Sequence, residues 1–374
     1  MGKERDAFFK SLPQSLTYEP LQTVTIGNRV IGAGHPAYII AEVGANHRGD
    51  INVAFAMIDK AKEAGADAIK FQHLTHDKIA ADTIVFDDWH GKEIGSLSGF
   101  YKSAEMPYDW TERLIAHAKE KGIDFLSTPF DKEAVDILEA AGVDAFKVAS
   151  YELTDDILLK YIASKGRPLI ISTGMADIEE VAHAIKVAQQ AGNDQIILLH
   201  CTSIYPPKTE DLNLRAITTL QQTFKLPVGY SDHSEPPYIA VTLTAVALGA
   251  CVIEKHITND REEGGSNDDV NSMEISEFQR LMEEIRNVEA SLSGSGIKQP
   301  VVNPEHKNDE INDRWARRTL YAAQDLQAGD TVTEETVITL RPWGGIEPKY
   351  FPLYAGRKLT KPIKAREPLT PDHF

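Results

Sequence analysis

The chain is poor in cysteine, in basic charge and in long apolar runs, and each shortage removes a class of protein. Only Cys201 and Cys251 occur in 374 residues. Both sit in apolar, strand-like stretches, so no disulfide framework is expected and a reducing compartment fits. Bases are outnumbered, 39 against 56 acids, giving a net charge of −17. Such a field disfavours nucleic acid and anionic membranes as partners. It does not exclude a small anion, because a few lysines can dominate a pocket. No apolar run reaches membrane-spanning length, and Met1-Gly-Lys-Glu-Arg-Asp6 lacks a signal-peptide core. The expectation is a cytoplasmic protein. A Gly-rich dinucleotide loop is also missing: the segment after the first strong strand candidate is Val43-Gly-Ala-Asn-His47, which argues against an open doubly wound sheet.

What is present is a rhythm. From Ala37, short apolar runs alternate with amphipathic, Ala-rich stretches. The strand candidates are Tyr38–Glu42, Ala68–Phe71, Asp124–Ser127, Ala145–Val148, Leu169–Ser172, Ile196–His200, Val228–Tyr230 and Cys251–Glu254. The helix candidates are Asn52–Ala64, Tyr108–Lys121, Lys132–Ala141, Asp156–Ser164, Ile178–Ala191, Asn213–Thr223, Tyr238–Leu248 and Ser276–Ser291. Several helices stop at Ala-Gly or Lys-Gly, a C-terminal signal. Eight such pairs predict an α/β fold, a (β/α)8 TIM barrel, over residues 36–293. Residues 1–35 read as a capping extension with short strands at Gln22–Ile26 and around Val30. The insert Thr75–Met106, carrying Trp89, His90 and Tyr101, falls on the active face of a barrel and suits a lid. Residues 294–314 read as a polar linker, and 315–374 as a small, mostly β domain of marginal stability alone.

In a TIM barrel the chemistry stands at strand C-termini, and here almost every strand candidate ends in polar residues. Ser231-Asp232-His233 and Glu254-Lys255-His256 end two successive strands, so parallel pairing puts both histidines on one rim. Two imidazoles there can hold a divalent metal with coordination positions left open. A lone histidine would more readily be a hydrogen-bonded core residue; two at matching positions favour metal. Lys70 and Lys147, with Ser150, Ser172 and Ser231, can surround a phosphate. Glu42, Glu152 or Glu254 can neutralise the lysines instead, and the sequence leaves the two possibilities balanced. A rival chemistry is an imine between Lys70 or Lys147 and a carbonyl substrate, as in Schiff-base aldolases.

Seven segments together resemble the sialic acid synthase family: Ile39-Ile-Ala-Glu-Val-Gly-Ala-Asn-His47, Gly65-Ala-Asp-Ala-Ile-Lys-Phe-Gln72, Lys147-Val-Ala-Ser-Tyr-Glu152, Ile171-Ser-Thr-Gly-Met175, Cys201-Thr-Ser-Ile-Tyr-Pro206, Gly229-Tyr-Ser-Asp-His233 and Glu254-Lys-His-Ile-Thr258. The tail, with Ala316-Arg-Arg-Thr319, Arg341-Pro-Trp-Gly-Gly-Ile346 and Gly356-Arg-Lys358, is similar to that family's antifreeze-like SAF domain. The resemblance implies condensation of phosphoenolpyruvate (PEP) with an N-acylhexosamine. It implies Mn or Mg on His233 and His256, and PEP on Lys70, Lys147, Ser150, Ser172 and Ser231. Glu42, Gln72, Glu152 and Tyr205 would face the sugar, with one of Glu42, Glu152 or Glu254 managing the proton. Arg341 would reach the acyl group from the SAF domain of a partner subunit, in a domain-swapped homodimer. The last loop, Gly264-Gly-Ser-Asn-Asp-Asp-Val-Asn-Ser-Met273, departs from the family pattern, and Asn267 or Asp268 stands in for its sugar-contacting Asp. Lys147-Val-Ala-Ser-Tyr-Glu152 and Phe100–Trp110 lean towards pseudaminic-type synthases. A non-catalytic carbohydrate- or ice-binding protein is the alternative that the tail alone suggests; the polar barrel rim argues against it.

Overall fold

A computed structural model describes residues 22–82, 85–86, 95–264, 266, 268–293 and 316–374. Backbone contacts divide the chain into two units, Met1–Ser293 and Gly294–Phe374.

The first unit opens with an antiparallel hairpin, β1 (Val24–Ile26) and β2 (Arg29–Ile31). Eight parallel strands follow: β3 (Tyr38–Glu42), β4 (Ala68–His73), β5 (Asp124–Pro129), β6 (Phe146–Val148), β7 (Leu169–Ser172), β8 (Ile196–His200), β9 (Val228–Asp232) and β10 (Val252–Thr258). Each pairs with the next, and β10 returns to β3 through Val252↔Tyr38 to His256↔Glu42, which closes the barrel. The connecting helices are α1 (Ile51–Glu63), α2 (Thr111–Lys121), α3 (Lys132–Ala141), α4 (Asp156–Ala163), α5 (Ile178–Gln190), α6 (Arg215–Phe224), α7 (Ala240–Ala247) and α8 (Ile275–Leu292). Their starts are chemically marked. Asp131 and Asp155 accept first-turn amides of α3 and α4, and Asp177 forms a capping box with Glu180 on α5.

The period of two along each strand separates two cores. Ile39, Ile69, Phe71, Phe125, Phe146, Ile171, Leu198, Val228 and Ile253 face the helices. Tyr38, Ile40, Ala68, Leu126, Ile170, Ile197, Leu199 and Val252 fill the barrel interior together with Val24, Ile26 and Ile31 of the hairpin. The 1–35 extension, as far as it is described, therefore plugs the N-terminal end of the cylinder.

Several strands outlast their expected ends. β5, β9 and β10 continue through Pro129, Asp232 and Thr258, because polar residues on the inner face still pair through their backbone. α6 starts at Arg215 because Asn213 takes a left-handed conformation (φ 41), and α7 starts at Ala240, leaving Tyr238 exposed. The insert after β4 includes helix Leu97–Ala104 and a hydrogen bond between His76 Nδ1 and Glu105 Oε1 at 2.5 Å. Trp89 and His90 lie outside the described residues, as does the 294–314 linker.

The second unit pairs β11 (Thr319–Ala322) antiparallel with β12 (Val337–Leu340) and adds single bridges such as Leu326↔Ile363. Leu320, Leu326, Val332, Ile346, Leu359, Ile363 and Leu369 form its own small core. It has no α-helix among residues 319–374, only 3-10 turns at Pro348–Leu353 and Pro371–His373.

Candidate active site

The inner-face positions nearest the C-terminal end of the barrel are not apolar. Glu42, Lys70, Lys147 and Glu254 all project there, each 4% exposed or less. Burying four charges is tolerable only with partners. Lys70 Nζ lies 2.8 Å from Glu42 Oε2 and 3.6 Å from Glu254 Oε2, and it donates to Thr128 Oγ1 at 3.1 Å. Burial works against its charge, but Glu254 and Glu42 outweigh burial and hold the ammonium above its ordinary pKa. Lys147 differs. It donates to Ser172 Oγ at 2.6 Å and to the Val148 carbonyl at 3.0 Å, and among the described residues no carboxylate forms an ion pair with it. Burial lowers its pKa, Glu254 only partly offsetting this. Glu254 itself, opposed by burial but drawn by Lys70 and Lys147, stays below the usual carboxylate range, and it accepts the Ser231 hydroxyl at 2.8 Å.

These groups line a tight pocket of ≈ 60 Å³ together with Gln72, Ser150, Tyr151, Cys201, Tyr205, His233 and His256. A roomier cleft of ≈ 610 Å³ lies outside, around Tyr161 among α3, α4 and α5, but no strand end reaches it. Gln72 donates to Glu42 at 2.8 Å. Ser150 accepts the Gly174 amide at 3.0 Å and lies 3.2 Å from Cys201 Sγ. Gly174 has no room for a side chain: a Cβ there would fall 2.5 Å from Ser203 Oγ, 2.8 Å from Cys201 and 3.0 Å from Ser150. Ser203 Oγ is buried without a partner, close to the same hydroxyls.

The two imidazoles meet on this rim, ring centroids 5.8 Å apart, with the Tyr205 ring tilted against His233 at 4.1 Å. His233 Nδ1 donates to the Thr202 carbonyl at 2.9 Å, which turns Nε2 and its lone pair towards Ser231 Oγ, 3.4 Å away. Burial, reinforced by His256, lowers the His233 pKa to about 3, so it is a neutral donor at physiological pH. His256 Nδ1 is buried with no partner. No group of three or more His, Cys, Asp or Glu side chains converges on a cation position among the described residues. The described residues offer a divalent cation two protein nitrogens, one on His233 and one on His256, and its other positions would fall to water or substrate oxygens.

Glu152 stands apart from the ion pairs. It is half-buried overall, with Oε2 buried and unpartnered. Burial pushes its pKa up to about 7, with Lys147 pulling the other way. On the insert helix, burial raises the Tyr101 pKa, with the Glu152 charge adding to it. Asp268 is half-buried and accepts the Ala45 amide at 2.7 Å. It comes this close only because residue 44 is glycine (φ 52): a Cβ there would lie within 2.1 Å of Asp268 Oδ2 and 3.2 Å of His256 Nδ1. Asn267 lies outside the described residues. Arg341 follows β12 in the second unit with its side chain exposed.

The sequence alone assigns no separate role to Thr128, Cys201, Tyr151 or Ser203. Thr128 and Cys201 share the inner-face parity of their neighbours, a signal that was available; the other two depend on loop conformation.

Among the described residues no helix is long and apolar enough to cross a membrane. The NeuB family model matches residues 57–298, and the SAF domain model matches residues 317–374. The N,N'-diacetyllegionaminic acid synthase of Legionella pneumophila is 39% identical over 92% of this chain and 96% of its own length. A pseudaminic acid synthase of Campylobacter jejuni is 35% identical over 90% of this chain and 96% of its own. The crystal structure of an N-acetylneuraminic acid (sialic acid) synthetase from Leptospira borgpetersenii, solved with citrate, superimposes with a TM-score of 0.67 at 35% identity, covering 80% of this chain and 100% of that one. A barrel with this polar inner rim, followed by a SAF domain, belongs to the NeuB family.

Proposed function

We propose that this protein condenses PEP with the open-chain form of an N-acylated hexosamine, releasing phosphate to make a nonulosonic acid. The observation that carries the proposal is the buried Lys147 ammonium, which has hydroxyl and carbonyl partners but no paired carboxylate among the described residues. A buried cation without an anion is costly, and a phosphate supplies one. Relatives named as legionaminic and pseudaminic acid synthases support the product class.

Lys147 and the hydroxyls of Ser150, Ser172 and Ser231 hold the phosphate of PEP, with Lys70 beside them. Glu42, Gln72, Tyr205 and Asp268 face the sugar. His233 and His256 hold Mn2+ or Mg2+, which when bound supplies Lewis-acid polarisation of the aldehyde. Glu152 is the acid. The incoming PEP adds negative charge, which keeps this raised carboxyl protonated. As C3 of PEP attacks the aldehyde carbon, Glu152 gives its proton to the aldehyde oxygen, and C2 becomes cationic. Water adds at C2 and returns a proton to Glu152. The bond between C2 and the bridging oxygen then breaks, and phosphate leaves with that oxygen and the remaining hydroxyl proton, so that C2 ends as a ketone.

Tyr151, Met175, Ile204, Tyr238 and Val270 expose apolar side chains on five successive loops of the rim. This collar suits cover by another subunit, and a homodimer in which the partner's SAF domain brings its Arg341 to the acyl group meets that need.

The lowered pKa of Lys147 favours one second reading, an imine-forming lysine; borohydride with substrate would then trap a covalent adduct. The deciding assay is phosphate release from PEP with Mn2+ and a panel of N-acylhexosamines. Release that requires both metal and acceptor supports the synthase. Release without an acceptor, or none with any hexosamine, overturns it.

A further inference from the structure

Alternation along β9 and β10 leaves two buried charges that the pocket does not use. Ser231 and His233 face the interior from one strand, Glu254 and His256 from the other. Asp232 and Lys255 stand between them, on the outward side, and both are 0% exposed. They are register partners across the two parallel strands. Lys255 Nζ lies 3.6 Å from Asp232 Oδ2 and donates to the Ser234 carbonyl at 2.7 Å. Asp232 accepts the Ser234 amide at 2.8 Å and the Thr242 hydroxyl of α7 at 2.5 Å.

A fully buried ion pair contributes little to stability, because desolvation offsets the Coulomb attraction. What this one adds is geometry. It ties β9 to β10 one residue before each imidazole, and it holds the Ser234 peptide that follows His233. We infer that Asp232 and Lys255 are positioning residues that set the spacing of His233 and His256 for a divalent cation. The inference rests on the metal reading above. Groups that orient metal-binding imidazoles typically change affinity 10- to 100-fold when removed.

The double variant Asp232→Asn/Lys255→Met deletes both charges together, so neither is left buried alone. Mn2+ alone is titrated calorimetrically into the wild type and the variant, and melting is recorded for both in chelator. The expected result is Mn2+ binding weakened about 10-fold or more, with the metal-free melting curve near that of the wild type. Unchanged Mn2+ affinity, with or without a shifted melt, overturns the positioning role and leaves the metal reading standing. A wild type that takes up no Mn2+ overturns both. If the double variant does not fold, Thr242→Val carries the test: Mn2+ binding several-fold weaker supports the role, and wild-type affinity overturns it.

Discussion

Glu152 and Lys147 show how burial, rather than residue type, separates roles among like side chains. Glu42 and Glu254 are committed to Lys70, whereas Glu152 titrates near pH 7. Acting as an acid, it should make turnover fall as pH rises through about 7, and Glu152→Gln should remove that limb from the pH–rate profile. The same raised pKa has a sign for stability. Between the ordinary value of 4.5 and about 7 the folded chain binds more protons here than the unfolded chain. Stability should therefore decline over that window, by on the order of 3 kcal/mol from this group. Denaturant titrations of wild type and Glu152→Gln at pH 5 and 8 read the difference. For Lys147, substitution by Met keeps the volume and removes a buried charge. KM for PEP should rise, or kcat/KM fall, by at least about 10- to 100-fold, the worth of a charge-assisted hydrogen bond. Thermal stability should hold. A wild-type kcat/KM would remove Lys147 from the anion site.

At the scale of strands and helices, the β9–β10 seam is closely packed. Gly229 faces inward there, and a Cβ on it would lie 2.4 Å from the Val252 carbonyl and 2.7 Å from Leu199. Because the first of these is backbone, Gly229→Ala should destabilise the barrel by about 1–3 kcal/mol; a denaturation midpoint equal to the wild type would contradict the packing described. This seam also marks how far the sequence could be read. Tyr38–Glu42 and Leu169–Ser172 were legible to the residue, since each is an uninterrupted apolar run closed by a polar side chain. The ends of β9 and β10 were not. Ser231, Asp232, Lys255 and His256 break the apolar signal while their backbones continue the ladder. The rim positions of Lys70, Lys147 and the two histidines followed from strand ends alone. Which lysine is neutralised by which glutamate did not, because that depends on register around a closed cylinder. The approach of Asp268 to Gly44 links loops more than 200 residues apart, and no local pattern reports it.

At the scale of the whole molecule, the proposed dimer gives the small β unit and the apolar collar of the barrel rim a shared role. Mixing Arg341→Ala chains with His256→Ala chains tests it. In a swapped dimer the intact barrel of one chain meets the intact SAF domain of the other, so two impaired preparations should regain activity on mixing. A unit that served its own barrel would give no recovery. The carbon–carbon condensation itself is tested most directly by PEP labelled with oxygen-18 at the bridge between C2 and phosphorus, turned over with an accepted hexosamine and read by phosphorus NMR. The account predicts that the released phosphate carries the label, because C2–O cleavage follows water addition. Unlabelled phosphate, with the heavy oxygen left on the sugar acid, would contradict it.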